Sequence, residues 1–170
     1  ARLPPDPIRG RGTATRIAHR FEPAARELHN DGWGTLDELA GEPTAAPATQ
    51  VMEEHAKSIL AKNDSPDIPF SLSINPYRGC EHGCIYCFAR PSHAFLGLSP
   101  GQDFETRLFA KPDAARLLEA ELRAPKYACK TMAIGTNTDP YQPIESDWRI
   151  TRSVLEVLRQ TRHPLTITTK

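Results

Sequence analysis

One stretch of fifteen residues limits what this chain can fold into more than any other part of the sequence. Residues 73–87 contain three of the four cysteines, Cys80, Cys84 and Cys87, in the spacing C-x3-C-x2-C. Gly79 and Gly83 stand beside the first two cysteines, where glycine permits the tight turns of a loop that wraps around a bound group. The short apolar run over residues 68–74 predicts a strand that ends in this loop.

The three cysteines predict the ligand set of one metal centre. A cubic four-iron cluster usually takes four cysteine thiolates, one for each iron. Three thiolates leave one iron open, and an open metal position is where chemistry can take place. We therefore predict that Cys80, Cys84 and Cys87 bind a [4Fe-4S] cluster with one accessible iron.

Two simpler interpretations of the same cysteines stay open. A zinc site could use the three thiolates with His82 or His93 as the fourth ligand, although zinc motifs more often combine two separated C-x2-C pairs. Disulfides are the weaker interpretation, because the sequence has no secretory segment and no secreted cysteine-rich pattern. Downstream of the loop only Cys129 remains, and we predict that it is a half-buried packing cysteine.

The loop also resembles a known superfamily. A C-x3-C-x2-C spacing with an aromatic residue, Tyr86, just before the last cysteine is similar to the radical S-adenosylmethionine (radical SAM) superfamily. The flanks resemble the branch that contains spore photoproduct lyase and the DNA repair photolyase-like proteins. In the loop this resemblance is carried by Asn75, Pro76, Tyr77, Gly79, Cys80, His82, Gly83, Cys84, Tyr86 and Cys87. Downstream, in the expected order, it is carried by Thr138, Asp139, Pro140, Tyr141, Gln142, Pro143, Ile144 and Glu145, and by Leu165, Thr166, Ile167, Thr168, Thr169 and Lys170.

The resemblance implies an enzyme with two cofactors, a [4Fe-4S] cluster and S-adenosylmethionine. Members of the superfamily take an electron from a donor such as flavodoxin or ferredoxin and cleave S-adenosylmethionine to methionine and a 5′-deoxyadenosyl radical. Tyr86 would flank the adenine, and Lys170 would bind the carboxylate. The segment Gly135, Thr136 and Asn137 stands where many members carry a Gly-Gly-Glu-like segment that receives the methionyl amino group. No catalytic residue beyond these contacts is predicted.

Three functions fit these features. The first, implied by the resemblance alone, is an enzyme that acts on nucleic acid as a repair lyase, for which a lesion in a duplex would have to be flipped out. The second is a radical SAM enzyme that acts on a protein side chain or a metabolite, because fold and cofactor do not fix the substrate. The third is a non-enzymatic module in which a zinc or iron–sulfur centre supports an interaction surface. Cleavage of S-adenosylmethionine separates the third from the other two.

Composition restricts the partners and the compartment. The chain has 21 Lys and Arg against 21 Asp and Glu, a balance that argues against an obligate wrap of nucleic acid but allows a local basic groove. The four cysteines show no pattern of disulfide pairing, which favours a reducing compartment. The apolar runs are too short to span a bilayer. We therefore predict a cytoplasmic protein without a membrane partner.

The order of predicted elements favours an α/β fold made of strand–helix units. In barrels built this way, the loops after the strands form the active face. The predicted elements are strands near residues 68–76, 104–111, 131–135 and 165–170, a helix near 112–122, and a helix that begins at Asp147 and ends before Pro164. A complete barrel needs about 200 residues or more. We therefore expect the N-terminal part of a partial (β/α) TIM-like barrel, truncated after its third strand.

Three segments are predicted from the composition along the chain. Residues 1–48 are rich in Pro, Arg, Ala and Gly and predict a flexible leader. Residues 49–64 predict an amphipathic helix and its linker, with His55 on the apolar face as a buried core histidine. Residues 65–170 are expected to form the barrel domain.

Overall fold

The computed structural model describes Gly12, Ile17, Phe21 and residues 48–170. The predicted leader over residues 1–48 therefore lies almost entirely outside the described residues. The strands are β1 (Gln50–Glu53), β2 (Leu60–Lys62), β3 (Leu72–Ile74), β4 (Tyr77–Arg78), β5 (Arg107–Ala110), β6 (Met132–Ile134) and β7 (Leu165–Ile167). The helices are α1 (Asp103–Thr106), α2 (Ala114–Leu122), α3 (Glu145–Trp148) and α4 (Ile150–Gln160), with a 3-10 helix at Arg90–Leu96.

The strands form two mixed sheets. The first has the order β1-β5-β4, with β1 parallel and β4 antiparallel to the central β5. The second has the order β2-β3-β6-β7, in which β3, β6 and β7 are parallel and β2 is antiparallel to β3. Ile74, Ile134 and Ile167 are in register across the three parallel strands. The segments that follow these strands therefore leave the sheet at one edge, which we call the carboxyl edge.

The prediction of a TIM-like barrel is wrong. Over residues 48–170 the strands form two small sheets, and no closed barrel is present in this part of the chain. β2 occupies the outer side of β3 in the antiparallel direction, and β1, β4 and β5 pair in a sheet of their own. The strands predicted near residues 68–76, 131–135 and 165–170 are confirmed in shorter form. Strand periodicity is local, whereas the partner at each strand edge is chosen by residues far away in sequence.

The helix predicted over residues 49–62 is also wrong, because β1 and β2 occupy this segment. Val51 and Met52 pair with residues of β5, and Leu60 pairs with Ile74 of β3. The segment has two pairs of apolar residues separated by a polar stretch. Each pair can form a short strand because another strand, β5 or β3, is available to pair with it. His55, predicted to be buried, has a side chain that is 69% exposed.

One apolar core joins the two sheets and the longer helices. Helices α2 and α4 pack against each other. The buried core residues are Ile59, Leu72, Ile74, Tyr77, Leu108, Ala110, Ala114, Leu118, Met132, Ile134, Ile144, Ile150, Val154 and Leu158. The predicted helix near residues 112–122 is confirmed as α2. Asp147, predicted to cap the following helix, lies within α3 instead.

Candidate functional site

Residues 79–89, which we call the cysteine loop, connect β4 to the 3-10 helix. Gly79 and Gly83 have positive φ angles of 76° and 61°. A Cβ atom at Gly79 would lie 2.6 Å from Leu108 Cδ2, and one at Gly83 would lie 2.8 Å from Glu105 Oε2. Both positions therefore require glycine, for conformation and for space.

The three thiols of the cysteine loop are free. Cys80 is buried, whereas Cys84 and Cys87 are half-buried. The Cys80 amide donates to the Phe104 carbonyl (2.8 Å), which ties the start of the loop to α1, and the Cys87 amide donates to the Cys84 carbonyl (3.2 Å). Burial raises the pKa of the Cys80 thiol and outweighs the backbone hydrogen bonds of Asp139 and His82, which lower it. A bound cation would stabilise the thiolate against this cost of burial.

The donor chemistry of the loop fits an iron–sulfur cluster, but the side chains are not gathered. Three uncrosslinked thiols in one short loop are the ligand type that such clusters take. Within residues 48–170 and the three isolated described positions, no group of three His, Cys, Asp or Glu side chains is placed to hold one metal ion. Binding through Cys80, Cys84 and Cys87 would therefore require these side chains to turn toward a common point.

A buried amide braces the loop on both sides of Cys80. Gln142 is only 1% exposed. Its Nε2 donates to the Gly79 carbonyl (3.2 Å), and its Oε1 accepts from the Glu81 amide (3.1 Å). The backbone that flanks the first cysteine is therefore held by a residue from the segment between β6 and α3.

An ion pair beneath the loop holds the second cysteine. Arg90 Nη2 lies 2.5 Å from Glu105 Oε1, and both residues are buried. Arg90 Nε donates to the Cys84 carbonyl (2.9 Å), and Glu105 Oε2 accepts from the Gly12 amide (2.8 Å). The charge on Arg90 is thus neutralised by Glu105 while its guanidinium fixes the backbone of Cys84.

A second buried contact joins the strand before the loop to the segment after β6. The Tyr77 hydroxyl donates to the Glu145 carboxylate. Glu145 also accepts from the amides of Thr151 and Arg152 (3.0 Å each) at the start of α4. Burial, and then the hydrogen bond to Glu145, raise the pKa of the Tyr77 phenol. Thr138 Oγ1 also donates to the Tyr77 carbonyl (3.0 Å). These hydrogen bonds hold β4 against the segment that follows β6.

The predicted cofactor residues after β6 lie at the carboxyl edge beside the residue that follows β3. Asn75 Nδ2 donates to Thr136 Oγ1 (3.1 Å), and Asn75 Oδ1 accepts from the Asn137 amide (3.0 Å). Gly135 has a φ of 81°, and a Cβ there would lie 2.3 Å from the Thr168 carbonyl oxygen. Glycine at the end of β6 therefore allows the ends of β6 and β7 to approach closely.

Asp139 connects the third strand to the same edge. Its carboxylate accepts from the Lys170 amide (2.7 Å) and from Thr169 Oγ1 (2.9 Å). The same carboxylate lies 3.6 Å from His82 Nε2 in the cysteine loop. Lys170 is thus held at the carboxyl edge through its backbone, and its ammonium group is exposed.

Tyr86, predicted to flank the adenine, is an exposed residue of the cysteine loop. It is 83% exposed, and Ile85 and Phe88 are exposed as well. The loop therefore presents three large apolar side chains to its surroundings. A ring in this position is free to stack on a planar ligand.

The two histidines considered as zinc ligands have different environments. His93 is fully buried, its Nε2 donates to the Arg107 carbonyl (2.9 Å), and burial lowers its pKa. His93 therefore packs in the protein interior, between the rings of Phe104 and Phe109. His82 lies in the loop itself, close to Asp139.

The sequence identified the cysteines and, in the polar segment after β6, Gln142 as part of a motif, but not the contacts that hold the loop. The contacts of Gln142, Arg90 and Glu105 form no local pattern, because their partners lie in other segments of the chain. A polar residue whose neighbours predict burial is a signal that could have indicated Arg90 and Glu105. Cys129, predicted to be half-buried, is exposed.

Comparison with known proteins gives relatives without an assigned function. No protein-family model matches the chain, and no solved structure matches it. Proteins of Mycobacterium bovis and of two strains of Mycobacterium tuberculosis, each described as an uncharacterized protein, are 45% identical to it over 115 residues, which is 67% of this chain. The match covers 34% of each relative, so the chain spans about a third of the length of the curated relatives it matches. Among the described residues, no helix has the length and apolar character needed to cross a membrane.

Proposed function

We propose that this chain is part of a radical SAM protein whose cysteine loop binds a [4Fe-4S] cluster through Cys80, Cys84 and Cys87. The observation that carries the proposal is the contact between three sequence motifs that are far apart along the chain. The cysteine loop, residues 138–145 and residues 165–170 meet at the carboxyl edge through Gln142 and Asp139. These are the same three motifs on which the resemblance to the superfamily depends.

The residues of the chain would contribute binding and positioning. The chemistry that such a cluster supplies when bound is one-electron cleavage of S-adenosylmethionine to methionine and a 5′-deoxyadenosyl radical. Gly135, Thr136 and Asn137 would offer backbone and hydroxyl groups to the methionyl part of the cofactor. Lys170 would pair with its carboxylate, because an exposed ammonium group is a suitable partner for it.

Tyr86, Gln142 and Arg90 have the remaining roles in the proposal. Tyr86 would stack on the adenine with its exposed ring. Gln142 and Arg90 would keep the backbone at Cys80 and Cys84 in place while the three thiol groups turn toward the metal. Fixing the backbone reduces the conformational entropy that the loop loses when a cofactor binds.

The partners and the compartment form part of the same proposal. A protein with this chemistry needs a low-potential electron donor, such as flavodoxin or ferredoxin, and a reducing compartment, the cytoplasm. By the resemblance, the substrate is nucleic acid and the protein is related to repair lyases. A protein or metabolite substrate is the alternative, and the products formed from S-adenosylmethionine in the presence of each substrate would distinguish the two.

A pair of cysteine variants tests the cluster. After anaerobic reconstitution, we expect the chain to hold about four irons and Cys84→Ala to lose nearly all of them, because two thiolates do not hold a cubic cluster. Cys129→Ala is the matched control, since Cys129 is exposed and lies outside the loop, and it should keep the full iron content. Iron and zinc are measured together by mass spectrometry of the metals.

Two results would contradict this assignment. Full iron content in Cys84→Ala would mean that the loop does not hold the metal. Loss of iron in Cys129→Ala would mean that the ligand set has been chosen wrongly. Zinc bound in place of iron in the unaltered chain would favour the simpler zinc site with His82.

A further inference from the structure

A second group of reactive side chains lies at the opposite edge of the four-stranded sheet. Tyr127 and Cys129 precede β6, and His163 precedes β7. Because β3, β6 and β7 are parallel, this group stands at the amino ends of the strands, away from the carboxyl edge at which Gln142 and Asp139 contact the cysteine loop. None of its members takes part in the site proposed above.

The hydrogen bonds of His163 determine which of its ring nitrogens can accept a proton. His163 Nδ1 lies 2.9 Å from the Pro164 carbonyl oxygen, which can only accept, so Nδ1 carries a hydrogen. The neutral ring then has its lone pair on Nε2. Two donors converge on that nitrogen, the Tyr127 hydroxyl at 2.5 Å and the Cys129 thiol at 3.5 Å.

The thiol is the accessible donor of the two. Cys129 is exposed, whereas burial and the nearby Cys129 raise the pKa of the Tyr127 phenol. A thiol ionises well before a phenol under ordinary conditions. The Tyr127 hydroxyl can turn from donating to the neutral ring to accepting from the protonated ring, so it can support His163 in both states.

A cleft beside this group provides room for a ligand. Tyr127 lines a cleft of about 560 Å³, and Cys129 stands in the chain between two other lining residues, Ala128 and Lys130. Three lysines line the cleft, Lys62, Lys126 and Lys130, against two carboxylates, Asp64 and Glu121. Glu121 already accepts hydrogen bonds from the Ser58 hydroxyl and the Ile59 amide. The cleft therefore has a net positive charge, which suits a small anionic molecule.

We propose that Cys129, with His163 as its base, is a thiol–disulfide exchange site for small anionic disulfides. The Cys129 sulfur attacks one sulfur of the disulfide, a new S–S bond forms and the old one breaks. The thiol proton passes to His163 Nε2 and from there to the departing thiolate. The attacking sulfur is oxidised and the departing sulfur is reduced, so no other oxidant is needed.

The test measures exchange at each cysteine of the full chain with oxidised glutathione as the probe. Reactions at neutral pH are stopped with acid, and the extent of modification at each cysteine is read by mass spectrometry of its peptide. Only a few per cent of an ordinary thiol is ionised at this pH, so a base can accelerate it by about tenfold. We expect His163→Gln to slow exchange at Cys129 by about tenfold and His55→Gln, the matched control at an exposed histidine, to leave it unchanged.

A second comparison does not depend on the folding of a variant. A peptide of residues 126–132 contains Cys129, Lys126 and Lys130 but lacks His163. Cys129 in the protein should react about tenfold faster than in this peptide. Equal rates in protein and peptide, or an unchanged rate in folded His163→Gln, would overturn the proposal. Because Cys129 is not a predicted cluster ligand, these outcomes are independent of the iron content.

Discussion

At the scale of the single residue, Tyr77 joins two motifs that are separated by more than sixty positions. Its ring lies in the core that connects the two sheets, and its hydroxyl donates to Glu145, 68 positions further along the chain. A hydrogen bond between two buried groups is costly to break on one side only, because the remaining partner stays out of water. Tyr77 should therefore contribute to stability as well as to the position of the cysteine loop.

Replacing Tyr77 by Phe tests this contribution. We expect Tyr77→Phe to lower the free energy of unfolding by about 1–3 kcal/mol, since Glu145 loses a buried donor. Urea denaturation measures the change. Tyr141→Phe removes the same atom from an exposed ring and should change the stability by no more than about 0.5 kcal/mol. Equal effects of the two substitutions would mean that the buried hydrogen bond adds nothing.

His55 and Asp113 form a pair that responds to pH. His55 Nδ1 lies 2.8 Å from Asp113 Oδ2, and this hydrogen bond raises the pKa of His55 and lowers that of Asp113. The attraction is present between the two pKa values. It is lost as the pH rises through the raised pKa of His55, and it is lost again as the pH falls through the lowered pKa of Asp113.

An NMR titration of the histidine ring signals measures this pairing directly. The pKa of His55 should lie above its ordinary value of 6.5 and fall toward that value in Asp113→Asn. Glu53→Gln is the graded control, because Glu53 lies further away, at 3.7 Å, and is a lesser cause of the shift. A pKa of His55 that does not respond to Asp113→Asn would disprove the pairing.

At the scale of the element, the cysteine loop depends on residues from its neighbours. Gly79 and Gly83 give it its turns, while Gln142 and Arg90 hold its backbone from outside. The glycines could be predicted from the sequence, because they stand next to the cysteines and their role is local. Gln142 could be identified as part of a motif, but its partner could not, since a hydrogen bond from Gln142 to Gly79 depends on how β6 is placed beside β3.

Removing the brace should open the loop around Cys80. We expect Gln142→Leu to speed the alkylation of Cys80 by iodoacetamide about tenfold in native buffer, since losing two buried hydrogen bonds lowers the cost of local opening by about 1–3 kcal/mol. Mass spectrometry of the Cys80 peptide gives the rate. Gln160→Leu, at an exposed position in α4, serves as the control. An unchanged rate at Cys80 would mean that other contacts hold the loop.

The strands illustrate the same limit on prediction from sequence. β3 and β6 are buried throughout, whereas β7 is half-buried at Leu165 and exposed at Thr166 and Ile167. All three could be predicted as strands from their short runs of apolar and β-branched residues. Residues 49–62 were assigned to a helix because their apolar residues fit one helical face, yet Val51 and Leu60 pair with strands that lie elsewhere in the sequence. The barrel prediction failed for the same reason, since sheet edges are decided by long-range pairing.

At the scale of the whole molecule, the four free thiols lie in two separate regions. Three lie in the cysteine loop, which follows β4, and the fourth lies with His163 at the amino ends of β6 and β7. The parallel order of β3, β6 and β7 places the two regions at opposite edges. A metal centre in the loop and thiol exchange at Cys129 can therefore be tested independently in one protein.

The most direct test of the account is an electron paramagnetic resonance spectrum of the anaerobically reconstituted and reduced protein, recorded with and without S-adenosylmethionine. If Cys80, Cys84 and Cys87 hold a cluster with an open iron, the reduced protein gives a cluster signal, and S-adenosylmethionine changes its shape. The Cys84→Ala protein should give no such signal under the same conditions. A cluster signal that is identical with and without S-adenosylmethionine, or a protein that binds zinc and gives no iron signal, would contradict the account.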